Sequence, residues 1–119
     1  MLQHVALEVR REDVAACLAF WRLLGFAQVE PPETLRERAA WVQNGPTQIH
    51  LLYAEEPVAP PEGHAAVVAR NYERALADLR DAGFEPEPRR EHWGAPRSFV
   101  RDPAGHRIEV MAAPPPPAA

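Results

Sequence analysis

Apolar and polar residues alternate from the start of the chain. Over residues 2–9 (LQHVALEV), Val5, Leu7 and Val9 fall on one side, which predicts a strand. The period then lengthens. Val14, Leu18, Trp21 and Leu24, with Cys17 and Phe20 beside them, recur at spacings of three and four. That spacing predicts a helix opening at Glu12 and Asp13 and closed by Gly25. Residues 26–30, 38–43 and 47–53 read as three further strands, the last two joined by a turn at Asn44, Gly45 and Pro46. A polar, proline-rich stretch follows at 55–63 (EEPVAPPEG), and then the order repeats. Residues 64–69 (HAAVVA) predict a strand. Residues 72–82 predict a helix with Ala75, Leu76 and Leu79 inward and Gly83 at its end. A short strand at 84–88 is weakened by two prolines. Strands at 97–101 and 106–111 flank a turn at 102–105.

The two halves align without forcing. His4 and His64 lie 60 residues apart, Gly25 and Gly83 lie 58 apart, and His50 and Glu109 lie 59 apart. A near-constant offset across helix ends, turns and polar strand residues indicates an internal duplication of strand–helix–three strands. Module one spans residues 1–54, a connector 55–63 and module two 64–113, all in one domain. A proline-rich tail at 114–119 has little to bury and is expected to be disordered, frayed or extended as polyproline II.

Composition narrows the function classes. With 119 residues and 46% hydrophobic content, the chain can bury a core without covalent staples. Thirteen basic residues against 17 acidic ones give a net charge of −4, which favours neither nucleic acid nor an anionic membrane. The lone cysteine, Cys17, predicts a reduced thiol on a helix, and with no signal-like opening the expected location is the cytoplasm. No glycine-rich phosphate loop, nucleophilic serine elbow or cysteine pair is present.

Four polar residues interrupt otherwise apolar strands. His4 precedes VALEV, His50 sits within IHLL, His64 opens HAAVVA, and Glu109 lies between Ile108 and Val110. Each alone fits a half-exposed strand residue. Together they occupy equivalent positions of a duplicated unit, on the first and last strand of each half. If those strands are neighbours, the four side chains converge across the module interface. Three imidazoles and one carboxylate suit a divalent Zn, Ni, Co, Mn or Fe(II) ion. Arg97, on the seventh strand, is a candidate clamp for a substrate carboxylate or phosphate, or else an exposed strand residue. Trp41 and Phe99 line either a pocket or the core. His92 and Trp93 form either a lid or an ordinary loop. His106, Arg10, Arg11, Arg89 and Arg90 are expected to be solvated.

At this point a resemblance becomes specific. Residues 4–7 (HVAL), 20–26 (FWRLLGF), 48–52 (QIHLL), 64–67 (HAAV) and above all 102–110 (DPAGHRIEV) resemble the vicinal-oxygen-chelate superfamily. That superfamily includes glyoxalase I, methylmalonyl-CoA epimerase, extradiol dioxygenases, fosfomycin-resistance transferases and bleomycin-resistance proteins. The likeness covers the chain to about residue 113. It implies an α+β fold of two tandem βαβββ modules whose eight strands form an incompletely closed barrel around a metal. His4, His64 and Glu109 fall on family ligand positions. His50 stands where glyoxalase I has glutamate and the epimerase glutamine. A site with one carboxylate and neutral histidines keeps about one positive charge on a divalent ion, so it favours an anionic ligand. It also lacks the second glutamate that glyoxalase I uses as a base, leaving Glu109 or metal-bound hydroxide for that role.

The expected function is a metal-dependent isomerase, epimerase or lyase that chelates a small oxygen-rich substrate and stabilises an enolate-like anion, with Glu109 and Arg97 as catalytic residues. An extradiol-type dioxygenase is the second enzyme reading, although most such relatives have four modules. Thiol transfer to an antibiotic is a third. The non-enzyme alternative is a metal-free, ligand-sequestering protein of the bleomycin-resistance type. A homodimer is expected, since open sheets want cover.

Overall fold

A computed structural model describes residues 1–118; Ala119, the last residue of the expected tail, lies outside the described residues. The strands are β1 (His4–Val9), β2 (Ala27–Val29), β3 (Ala39–Asn44), β4 (Thr47–Tyr53), β5 (Ala65–Val68), β6 (Glu87–Arg89), β7 (Arg97–Arg101) and β8 (Arg107–Met111). The helices are α1 (Val14–Leu23) and α2 (Tyr72–Asp81). Each half is a βαβββ module. The eight strands stay open as two four-stranded sheets, ordered β1-β4-β3-β2 and β5-β8-β7-β6.

Local chemistry sets the element ends. A 3-10 turn at Arg11–Asp13 leads into α1, and the Asn71 side chain caps α2 by accepting from Arg74 N. Both helices stop at glycines with positive φ, 89° at Gly25 and 94° at Gly83, where a side chain would be strained. The β6 strand lies at Glu87–Arg89, later than the expected 84–88. Its register is set by β7, with Glu87 opposite Phe99 and Arg89 opposite Arg97. As the outer strand of its sheet, β6 tolerates Pro88.

Strand alternation sorts the side chains. Val9, Val42, Ile49 and Leu51 of the first sheet share one core with Val100, Ile108 and Val110 of the second, together with Phe20 and Trp21 of α1 and Leu76 and Leu79 of α2. The opposite face of each sheet carries the polar candidates and some uncovered apolar surface, with Leu52 39% and Val68 48% exposed. Among the described residues no helix is long and apolar enough to cross a membrane.

His106 departs from expectation. It is buried rather than solvated, and its Nε2–H donates to the Glu8 carbonyl, 2.7 Å away. This bond ties the β7–β8 turn of module two to β1 of module one. Asp102 shapes that turn: its Oδ1 accepts from Ala104 N at 3.0 Å and His106 N at 2.8 Å. Its Oδ2 is buried without a partner. Burial pushes the Asp102 carboxyl above its ordinary value of 3.8, against the pull of these donors and of His106. Burial, then the nearby Asp102 and Asp13 charges, push the Cys17 thiol up to about 12, so it is inert.

Two outcomes follow for stability. Asp102 binds its proton more tightly folded than unfolded, so its ionisation costs stability as pH rises from 3.8 through the higher folded value. Asp102→Asn keeps the Oδ1 acceptor without the charge. It is expected to melt no lower than the parent at pH 7 and to lose this part of the pH dependence in thermal melts. His106→Ala leaves the Glu8 carbonyl without its donor and is expected to cost about 1–3 kcal/mol in urea unfolding.

Candidate metal and ligand site

In each module the first and last strands are parallel neighbours. The rungs are equivalent: Ala6 lies opposite His50 as Ala66 lies opposite Glu109. Across the antiparallel neighbour, Trp41 pairs with His50 as Phe99 pairs with Glu109. His4 and His64 each stand two residues before their rung alanine. The duplication read from residue spacing is therefore also a duplication of the site.

The chain brings the four candidates together as two pairs. His4 stacks on His50 with ring centroids 4.0 Å apart, and His50 stacks on Trp41 at 3.9 Å with the planes only 3° apart. His64 Nε2 lies 3.0 Å from Glu109 Oε1. Among the described residues, no group of three His, Cys, Asp or Glu side chains is placed to hold a metal ion. The convergence of all four within one chain, expected if the first and last strands were neighbours, does not occur. Those strands are neighbours, but each module carries its pair on the open face of its own sheet.

In the first pair, hydrogen bonds fix the rings. His4 Nδ1 donates to Gln3 Oε1 at 2.7 Å. His50 Nε2 donates to Gln48 Oε1 at 2.8 Å, and Gln48 Nε2 donates to Gln43 Oε1 at 2.8 Å. With Nε2 committed to Gln48 and a ring on each face, His50 is held rigidly. Burial, then the neighbouring His4, lower its pKa below 6.5, keeping the ring neutral. This stack borders a cleft of about 840 Å³ lined by Glu8, Arg38, Ala39, Trp41, His50 and Leu52, among others.

The second pair is charged. Glu109 is buried, its side chain only 7% exposed, and Arg97 Nε donates to its Oε2 at 2.8 Å. Arg97 is thus not an exposed strand residue; its side chain is 12% exposed. His64 Nδ1 donates to the Glu62 carbonyl at 2.9 Å, while its Nε2 faces the Glu109 carboxylate. Both ring nitrogens therefore face acceptors. A neutral imidazole has one N–H and cannot satisfy both. With Nδ1–H given to the Glu62 carbonyl, Nε2 turns its lone pair toward Glu109, an arrangement a shared cation would satisfy. A 3.0 Å separation also suits neighbouring N and O donors on one ion with bonds of about 2.1 Å. The Glu62 carbonyl plays the part of the outer partner that commonly orients a ligating histidine. His64 and Glu109 thus fit two ligands of a divalent metal, and among the described residues no third His, Cys, Asp or Glu joins them.

Phe99 packs edge-on against His64, centroids 4.9 Å apart, beneath the guanidinium of Arg107 at 4.0 Å. Trp93 donates from Nε1 to the Ala113 carbonyl at 2.9 Å, anchoring its loop to the end of module two; His92 is exposed. Sequence reasoning missed the Gln43–Gln48–His50 chain. The hairpin turn carried the signal, since pairing Asn44 with Thr47 sets Gln43 opposite Gln48. It also missed the Glu62 carbonyl, which no side-chain pattern encodes.

The model for the Glyoxalase/Bleomycin resistance protein/Dioxygenase superfamily matches residues 1–110. Among solved structures, the chain is similar to a glyoxalase family protein from Bacillus anthracis, with TM-score 0.85 and 24% identity over 93% of both chains. It is similar to a lactoylglutathione lyase from Agrobacterium tumefaciens, with TM-score 0.71 and 20% identity over 93% of this chain and 92% of that one. It also resembles the fosfomycin resistance protein FosX from Listeria monocytogenes, with TM-score 0.76 and 15% identity over 96% of this chain and 91% of that one. Comparison with curated proteins gave no match.

The His50 environment makes a pH prediction. Its folded pKa lies below the unfolded value, so its contribution to stability is present above 6.5 and is lost as pH falls through the folded value. An NMR titration is expected to show the His50 ring protonating below pH 6.5, and closer to 6.5 in His4→Ala. A His50 midpoint at or above 6.5 in the parent would contradict this reading.

Proposed function

The chain belongs to the glyoxalase/bleomycin resistance/dioxygenase superfamily, and from that membership we propose that it is a metal-dependent isomerase or lyase acting on a small, oxygen-rich anion. Its metal would be held by His64 and Glu109 of one copy and His4 of a second. The observation that carries this reading is the His64–Glu109 pair, with Nδ1 held by the Glu62 carbonyl and Nε2 3.0 Å from Glu109 Oε1, two donors set for one cation.

Two features support a site shared between copies. The ligand pairs lie on the open faces of different sheets. Those faces also carry the uncovered Leu52 and Val68. In this reading His50 holds His4 in place through the stack and is not a fourth ligand, because its Nε2 is taken by Gln48.

A divalent ion at this position supplies a Lewis acid that holds neighbouring substrate oxygens and stabilises an enolate-like anion. The chain's own groups set the conditions for it. The Glu62 carbonyl fixes the His64 tautomer so that Nε2 faces the site. Arg97 balances the Glu109 charge and occupies its Oε2. With Oε2 held by Arg97 and Oε1 facing His64, Glu109 is chiefly an anchor.

One observation favours a second reading. The Glu109–Arg97 ion pair is complete without a metal, as a ligand-sequestering protein would need. Metal content decides between the two. Untagged protein is expected to hold about one divalent ion per chain by plasma mass spectrometry. His64→Ala and Glu109→Ala are expected to lose it. Co-expressed His4→Ala and Glu109→Ala chains are expected to recover one intact site per mixed dimer, since one pairing joins the two unaltered modules. No recovery would place the site within one chain. No metal after reconstitution with Zn, Ni, Co, Mn and Fe(II) would leave the sequestering reading. Iron with substrate-dependent oxygen uptake would point instead to a dioxygenase.

A further inference from the structure

Glu62 contacts module two through both its backbone and its side chain. Its carbonyl accepts from His64 Nδ1–H at 2.9 Å, and its carboxylate accepts from Arg107 NH1 at 2.9 Å. Arg107 is itself held in place, with its guanidinium carbon 4.0 Å from the centroid of Phe99. Phe99 in turn packs edge-on against the His64 ring. The contacts close a circuit, from His64 to Glu62 to Arg107 to Phe99 and back to His64.

The other side of Glu62 is constrained as well. Val58 N donates to Glu8 Oε1 at 2.8 Å, which fastens the connector to β1 of module one. Only Ala59, Pro60 and Pro61 separate Val58 from Glu62. The two prolines have a fixed φ, so this span is stiff. Gly63 completes the bend. A Cβ there would stand 3.0 Å from Pro60 Cβ, closer than ordinary contact, so only glycine lets the bend close this tightly. The connector is thus a taut segment fastened to both modules, with the Glu62 carbonyl aimed at His64 from its far end.

Magnitudes say what the fastening can do. The Glu62 side chain is 91% exposed, so its ion pair with Arg107 is worth no more than about fivefold in an equilibrium. That is too little to hold the fold together and enough to bias where a carbonyl points. A histidine already aimed loses less freedom when it takes a ligand.

We propose that Glu62, Gly63 and Arg107 are positioning residues for His64, and that the connector is a functional part of the site as well as a link between modules. The role rests on the metal reading above for what His64 binds, while the circuit of contacts stands without it.

The test is the exchange of the His64 Nδ1 proton with solvent, followed by NMR of the full chain at one fixed pH after chelator treatment. The parent is expected to show this proton protected by the Glu62 carbonyl. Glu62→Ala and Arg107→Met are each expected to speed its exchange by about two- to fivefold. The double variant is expected to lose no more than either alone, since both break one clasp. Arg107→Lys keeps the ion pair and is expected to retain most of the protection. Gly63→Ala forces Pro60 away and is expected to speed exchange by about fivefold or more. The His50 and His106 ring protons lie elsewhere in the fold and are expected to keep the parent's rates. Zinc affinity, measured on the same proteins by competition with a chelator, is expected to fall by similar factors.

An unprotected His64 Nδ1 proton in the parent, or parent rates in every variant, would overturn the proposal. A parallel rise at His50 and His106 would assign the effect to stability and overturn it too. Faster exchange at His64 with no zinc uptake by any of the proteins would sink the metal reading alone. Zinc bound with the parent's affinity by every variant would sink the positioning role alone.

Discussion

Parallel pairing of the first and last strand within each module is the constraint on which the rest depends. It places residues from opposite ends of a roughly fifty-residue module on one rung. Alternation then sends one set of side chains into the helical core and the other to the open face. A slip of one residue in β8 would exchange Glu109 for Ile108 or Val110, burying a carboxylate in the core and exposing aliphatic surface. The core residues on either side of Glu109 and His50 therefore specify the register of the site as well as supplying stability.

Much of this architecture was legible in the chain. The spacing between His4 and His64, and between His50 and Glu109, already implied two copies of one module, and the structure puts His50 and Glu109 on equivalent rungs, with His4 and His64 each two residues before the rung alanine. Helix ends were readable because glycine is suited to the backbone at Gly25 and Gly83. The short strands were harder. Registers of β2 and β6 are set by their neighbours, and Pro86 and Pro88 obscured where β6 begins.

The site was legible in its membership but not in its grouping. Residue types and strand positions marked His4, His50, His64, Glu109 and Arg97, but spacing cannot say which sheets face each other. Nor could it reveal that His106 is buried, because a histidine beside a turn glycine looks the same whether its ring meets water or a carbonyl from the other module. Those contacts depend on tertiary packing, which no local period records.

The equivalence of the two rungs has an evolutionary consequence. A single module associating with its own copies must place the same residue at every equivalent position. Fusing two copies into one chain removes that symmetry. Here one rung has become Trp41 with His50, a neutral stack, and the other Phe99 with Glu109, a charged anchor. Each copy can thus specialise while the backbone that positions it stays shared, so new chemistry can arise by changing one half of an inherited pair.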